Sequence, residues 1–370
     1  MNDLPAVNPA IQPLAFEPSF EQIPDDEAQT SKELAEALHG IMETTFRDNG
    51  HATRSVHAKA HGLLRGHISV LENLPATLAQ GAFAKPVRLP VYLRFSTNPG
   101  DILDDKVSTP RGLAIKIVGV DGPRLPGSEG EVTQDFVMQN AKAFTAATPK
   151  AFLKTLKLLA KTTDKAPGMK KAFSALLRGV EATLESMGGE SGTLKSLGGH
   201  PQTHILGESF SSVVPMLYGP YYAKIAVVPV SSNLTALTDL HVDFGDNPDG
   251  LRAAVEAYFA QSGGTWEVRV QLAIDLEKMP IEDASVQWPE DLSPYVTVAR
   301  IDLAPQAAWS PENVQKIDDG MAFSPWHGLA AHRPLGGVMR VRKPAYEMSS
   351  GFRAEHNGCP IHEPRPSITP

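Results

Sequence analysis

The chain has 370 residues, 42% hydrophobic and 21% charged, enough to bury a large core and unlike a disordered or fibrous composition. Its formal net charge of −8 argues against a nucleic-acid or anionic-membrane partner, since neither is attracted to a net acidic surface, and no apolar run is long enough to span a bilayer. Cys359 is the single cysteine, which excludes an intramolecular disulfide and any cysteine-based metal cluster.

Residues 1–29 are rich in Pro, Asp and Glu, with no basic segment leading into an apolar stretch. They read as an extended arm rather than a secretory signal, so a cytoplasmic location is expected. Thr30-Ser31-Lys32-Glu33 has capping-box spacing, and Leu34, Leu38 and Ile41 follow at helical intervals. This predicts a helix to about Arg47, ended by Asn49-Gly50. From Leu89 the pattern turns to strand, with Val91–Thr97 and Leu113–Val118 rich in β-branched and aromatic residues. Further strands are expected at Phe136–Met138, Ala223–Pro229, Thr265–Ile274 and Tyr295–Leu303, a set that suits an antiparallel barrel. Residues 149–188 differ, with Phe152, Leu156 and Leu159, then Phe173, Leu176, Val180 and Leu184, at helical spacing among basic residues. Ala166-Pro167-Gly168 divides them into two helices.

Two stretches carry residues suited to chemistry. In Arg54-Ser55-Val56-His57-Ala58-Lys59-Ala60-His61-Gly62 a histidine follows an arginine by three residues. Such a pair can present an imidazole to a flat buried ligand while the guanidinium reaches an anion at its edge. Later, Arg342 precedes Tyr346 by four residues and Arg353 follows it by seven, one face of a helix that reaches that far. Pro344 lies between them and belongs in a first turn, or it kinks the helix.

The segment around His57 resembles the distal-histidine motif of haem catalases, and six more segments follow in that family's order. They are RFST at Arg94 to Thr97, PRGLAIK at Pro110 to Lys116, PQTH at Pro201 to His204, Trp288-Pro289, FSP at Phe323 to Pro325, and Arg342-x-x-x-Tyr346. The resemblance implies an α+β fold: a catalase-like antiparallel β-barrel core with surrounding helices over residues 30–360, behind the 1–29 arm and before a 361–370 tail. Residues 149–188 look expanded relative to the family, and no C-terminal flavodoxin-like extension fits, so the match is to the core.

The resemblance further implies one haem b per chain, its iron held by Tyr346. A phenolate is needed for that, and Arg342 supplies the positive charge that favours it. On the opposite side of the ring His57 acts as acid and base, its second nitrogen held by Ser96, with Val56 beside it. Arg54, Arg94 and Arg353 pair with the haem propionates, Asn140 brings an amide over the iron, and Phe152 is a distal-side aromatic. The sequence departs from the family where Gln139-Asn140 replaces an Asn-Asn pair, which leaves open that Gln139 points inward. It departs again at Tyr218–Lys224, where the family has a histidine-containing stretch.

The activity implied is that of a peroxidase reducing hydrogen peroxide or an organic hydroperoxide with a small organic donor, in a homo-oligomer, dimer or tetramer. The same scaffold also serves true catalases and fatty-acid hydroperoxide isomerases of the allene oxide synthase type. A haem-binding protein without catalysis is the remaining alternative. Val56, as in true catalases, counts against the isomerase.

Overall fold

A computed structural model of the chain describes residues 12–160 and 200–366. The start of the arm, the second helix expected within 149–188 and residues 367–370 lie outside the described residues. The described strands are β1 (Ala60–Val70), β2 (Arg88–Thr97), β3 (Arg111–Val118), β4 (Thr133–Gln139), β5 (Phe210–Ser211), β6 (Met216–Tyr218), β7 (Tyr221–Pro229), β8 (Gly264–Leu272) and β9 (Val296–Leu303). They form one antiparallel sheet in the order β5-β4-β3-β2-β1-β9-β8-β7-β6, and β5 also pairs with β7. That last pairing closes the sheet into a barrel, with β6 hairpinned onto β7. Closure removes the exposed edges that an open sheet would present.

Alternation along the strands separates two faces. Leu93 and Phe95 of β2, Leu113, Ile115 and Ile117 of β3, and Phe136 and Met138 of β4 fill the barrel interior. The intervening residues Arg94 and Ser96, Gly112, Ala114 and Lys116, and Asp135, Val137 and Gln139 therefore face outward. The functional residues of these strands belong to that outer face.

Strand β1 has no counterpart in the sequence reading, although it lies between β2 and β9. Its His61, Gly62, Gly66 and His67 interrupt the apolar alternation. At Gly66 the neighbouring strand comes so close that a Cβ would lie 2.5 Å from the Asp302 carbonyl oxygen, so packing rather than strand propensity decides the residue.

Four longer helices are described: α1 (Glu27–Asn49), α2 (Pro149–Ala160), α3 (Gly250–Phe259) and α4 (Gly337–Asn357). Helix α1 begins at Glu27, one turn before the expected start. Thr30 is no cap; its hydroxyl donates to the Asp26 carbonyl within the first turn. Gly50 ends the helix in a left-handed conformation at φ 67°. Leu34, Leu38 and Ile41 of α1 pack against Leu153 and Leu156 of α2 and Val341 and Ala345 of α4. Arg340 fastens this layer to the arm, binding Glu21, Glu27 and Glu282 at 2.8 Å each. The described part of the arm lies along its own barrel, where Leu14 donates to the Ala273 carbonyl and Phe16 to that of Pro220. Among the described residues no helix is long and apolar enough to cross a membrane.

Pro344 sits well inside α4 rather than in its first turn, so the Arg340 carbonyl has no helical N–H to accept. The helix nevertheless continues through Arg353 and keeps Arg342, Tyr346 and Arg353 on one face.

Candidate functional site

A cavity of about 770 Å³ lies between the α1, α2 and α4 layer and the outer face of β2 to β4. This is ample for a cofactor-sized ligand. Most of the expected site residues line it: Arg54, Val56, His57, Asn140, Phe152, Arg342, Tyr346 and Arg353. Ser96 and Arg94 stand behind its wall, Ser96 against His57 and Arg94 against Asp318 and the Ala58 carbonyl.

His57 lies in the turn before β1 with φ 54°, a left-handed conformation that a histidine adopts at a cost. Its own N–H donates to the Asn98 carbonyl at 2.8 Å, and that of Ala58 to the Pro99 carbonyl at 3.0 Å, which pins the turn to the loop after β2. The ring then lies over β3. A Cβ on Gly112 would sit 2.5 Å from His57 Cε1, so only glycine leaves space for the imidazole. Nδ1 meets Ser96 Oγ at 3.1 Å, and Ser96 in turn donates to the Gly112 carbonyl at 3.5 Å. The serine lone pair is thereby left to accept from Nδ1–H, so Nε2 is the basic nitrogen. Burial, reinforced by the charges of Arg94, Arg342 and Arg54, pushes His57 down to about 3 and keeps it neutral.

Tyr346 projects from α4 into the same cavity. Arg342 Nη2 donates to its hydroxyl at 2.7 Å, and the guanidinium carbon lies 5.3 Å from the ring centroid. The i, i+4 relation expected of a single helical face is thus realised. Phe152 packs edge-to-face on Phe144 at 5.0 Å between centroids, and Phe144 also meets Arg342 at 5.8 Å. Phe144 escaped the sequence reading because a lone aromatic after a strand carries no positional signal.

The three arginines expected at a propionate edge converge on a residue that the sequence did not single out. Asp318 lies on a single π-helical turn, Val314–Asp319, ahead of Phe323. Arg54 Nη1 donates to Asp318 Oδ1, and Arg94 Nε reaches the same oxygen at 2.8 Å. Arg54 Nη2 and Arg353 Nη1 donate to the Asp318 carbonyl at 2.9 and 2.8 Å, and both side chains also reach the Met321 carbonyl. Burial works to raise the Asp318 carboxyl, yet the charges of Arg94 and Arg54 outweigh it and hold the group well below the usual carboxylate range. Burial lowers Arg353 to about 10, against the opposing pull of Asp318. Arg94 is 2% exposed and binds Asp318 and the Ala58 carbonyl, so it braces the cluster from behind the cavity wall.

Asn140 borders the cavity, but its amide is engaged elsewhere. Its Oδ1 accepts from the Arg111 N–H at 2.8 Å, and its Nδ2 donates to Glu208 at 2.6 Å and meets His200 at 2.7 Å. Gln139 is the residue on the face of His57. It pairs directly with Gly112, and Gly112 with Ser96, so the three form a row on the outer face under the imidazole. Asn140, the residue after the end of β4, lies off that row while still bordering the cavity.

Several of the recognised segments serve to hold the site. Arg111 of PRGLAIK forms an ion pair with Glu208 and reaches Thr203 of PQTH at 2.8 Å. Lys116 pairs with Asp135 at 2.6 Å, and Asp135 accepts from the N–H of Ser324 in FSP at 2.9 Å. The Tyr218–Lys224 segment forms the β6–β7 hairpin and contributes nothing to the cavity wall; Tyr218 donates to the Leu78 carbonyl at 2.7 Å and Lys224 lies 5.0 Å from the centre of the Trp288 ring.

No protein-family model and no curated protein sequence matches the chain. Among solved structures, a fungal catalase is similar at a TM-score of 0.58 and 18% identity over 88% of this chain and 67% of that one. Catalase A from Saccharomyces cerevisiae is similar at 0.57 and 18% identity over 84% of this chain and 63% of that one. A bacterial catalase gives 0.58 and 16% identity over 99% of this chain and 68% of that one. The chain thus spans about two thirds of the length of these proteins. At identities this low the likeness is one of architecture, and it shows that the chain is built on the catalase fold.

Proposed function

We propose that the cavity binds haem b and that the protein is a peroxidase, reducing hydrogen peroxide or an organic hydroperoxide with a small organic donor. The observation that carries this reading is the presence of two devices in one cavity: a neutral His57 oriented by Ser96, and Tyr346 bonded to Arg342. The residues fit the cofactor. Arg353 is 3% exposed, lines the cavity, and has a buried Nε without a partner, which a ligand carboxylate would satisfy. Leu38, Ile41, Val56, Phe144, Phe152 and Leu156 supply apolar walls for a flat ring. Tyr346 would hold the iron, and Arg54 and Arg353 would hold the carboxylates.

When bound, haem supplies the redox-active iron at which a peroxide O–O bond is cleaved. The chain's own part is proton handling. His57 Nε2 would take the proton from one peroxide oxygen and return it to the other as the O–O bond breaks, so that the second oxygen leaves as water or alcohol. Arg342 holds its hydrogen bond to Tyr346 and keeps a positive charge beside the phenol oxygen. Gln139 lies on the face of His57 with an amide able to orient the peroxide.

The test is to reconstitute the protein with haem and mix it rapidly with hydrogen peroxide and with a lipid hydroperoxide, with and without a phenolic donor. Turnover that rises with donor concentration is expected. Oxygen release without donor would make it a catalase, rearranged lipid product an isomerase, and an unreactive haem spectrum a carrier. With His57 at about 3, the rate of the peroxide step should be level between about pH 5 and 9 and fall only as the histidine gains its proton near pH 3. A rate that halves near pH 6.5 would mean an ordinary, solvated histidine.

Gly112→Ala gives a separate check on how His57 is held. The added methyl would occupy the space of the ring 2.5 Å from Cε1, so the imidazole must leave Ser96. A loss of at least about tenfold in peroxide reactivity is expected with haem binding retained, since a small misplacement of a catalytic group costs that much or more. Wild-type kinetics in Gly112→Ala would show that the ring position does not matter.

A further inference from the structure

The arginine cluster holds three guanidiniums and one carboxylate bonded to them, on the side away from the cavity; the neighbouring Asp319 carboxylate also acts on Arg353 but is bonded to His51 at 2.9 Å. Arg54 and Arg353 line the cavity; Arg94 and Asp318 do not. Asp318 is bound by Arg54 and Arg94 through its side chain and by Arg54 and Arg353 through its carbonyl. Three positive charges this close repel one another in a poorly solvated site, and a buried excess of charge is costly. One carboxylate cancels one of them. The cluster then presents two net positive charges toward the cavity, the number that a ligand edge with two carboxylates would neutralise.

We propose that Asp318 is the resident counter-anion of this cluster, letting it fold before any ligand arrives and setting its charge so that the cavity selects a dicarboxylate. The proposal rests on the cofactor reading above and assigns a specificity-determining role to a residue that does not touch the ligand. Its consequence runs against the usual effect of breaking an ion pair. Asp318 stabilises the empty protein more than the loaded one, because in the loaded protein two further carboxylates share the arginines. Removing its charge should therefore weaken the empty fold and strengthen the preference for a diacid. Removing the charge of Arg94 should weaken that preference, and removing both should restore it.

Zinc protoporphyrin and its dimethyl ester provide the probe, because they share a ring and differ in the two carboxylates. Fluorescence titration should give wild-type protein at least a tenfold preference for the diacid. In Asp318→Asn the ratio of diacid to diester affinity should rise at least tenfold further, while the Tm of the empty protein falls and recovers when the diacid is added. In Arg94→Gln the ratio should fall at least tenfold, and in the double variant it should return to within threefold of wild type. A merely structural role would move Tm without this crossing pattern of ratios. If Asp318→Asn does not fold without ligand, the step from Arg94→Gln to the double variant reads the same quantity and must rise at least tenfold. A ratio that is unchanged or lower on removing the Asp318 charge overturns the proposal while leaving the cofactor reading intact. A wild-type protein that binds diacid and diester equally would overturn both.

Discussion

His57→Ala is expected to slow the reaction with hydrogen peroxide by about 10²–10⁴ and to leave haem in the cavity, the range in which a positioned general acid and base acts. The expectation comes from the way the site is built around one imidazole. The backbone of His57 is held in a left-handed turn, Gly112 makes room for the ring, and Ser96 fixes which nitrogen is basic. The same construction assigns unequal weights to the two neighbouring amides. Gln139→Ala should reduce the peroxide rate by about tenfold, since an orienting amide contributes less than a proton-transferring base. Asn140→Ala should instead lower Tm, because it strips partners from Glu208 and the Arg111 N–H, and change the rate little. Stopped-flow rates with thermal melts on the three variants decide the matter. If Asn140→Ala shows the larger kinetic defect and an unchanged melt, the row Ser96, Gly112 and Gln139 is not the face that meets peroxide.

That row shows how far the sequence was legible. The β-branched and aromatic residues of Val91–Thr97 and Leu113–Val118 make both segments strands, and the i, i+4 spacing of Arg342 and Tyr346 survives into a hydrogen bond of 2.7 Å. Local patterns of this kind are written in adjacent residues. Which of Gln139 and Asn140 faces His57 depends on register against Gly112, and register is set by pairing between segments that are distant in sequence. Strand β1 was hidden for a related reason: Gly66 is there because the Asp302 carbonyl crosses over it, a constraint that no local propensity records. Asp318 was the least legible of all. Nothing in Asp318-Asp319 distinguishes it from a solvated acidic pair until a π-helical turn carries it against Arg54 and Arg94, residues more than 200 positions earlier. Helix α1 shows the converse, because Thr30 and Glu33 have the spacing of a cap and yet the helix starts a turn earlier, at Glu27.

The largest effect on the cofactor itself is expected from Tyr346→Phe. The substitution removes one oxygen and keeps the ring, so the packing of α4 against α1 should survive and the melting temperature of the empty protein should change little. What is lost is the single oxygen in the cavity that is paired with Arg342 at 2.7 Å. A tyrosine oxygen can serve as an iron ligand, and phenylalanine has no oxygen to offer. Haem retention should therefore fall by at least about tenfold, which corresponds to roughly 1.4 kcal/mol, and any haem that remains should have lost the charge-transfer bands of a tyrosinate complex. Arg342→Gln should retain haem better than Tyr346→Phe but shift those bands, because the oxygen persists while the positive charge hydrogen-bonded to it does not. Gel filtration of the reconstituted variants, followed by absorption spectra, separates the two effects. An unchanged Soret and charge-transfer spectrum in Tyr346→Phe would mean that the pair on α4 is a buried hydrogen bond of the helix face and that another residue of the same cavity would hold the iron.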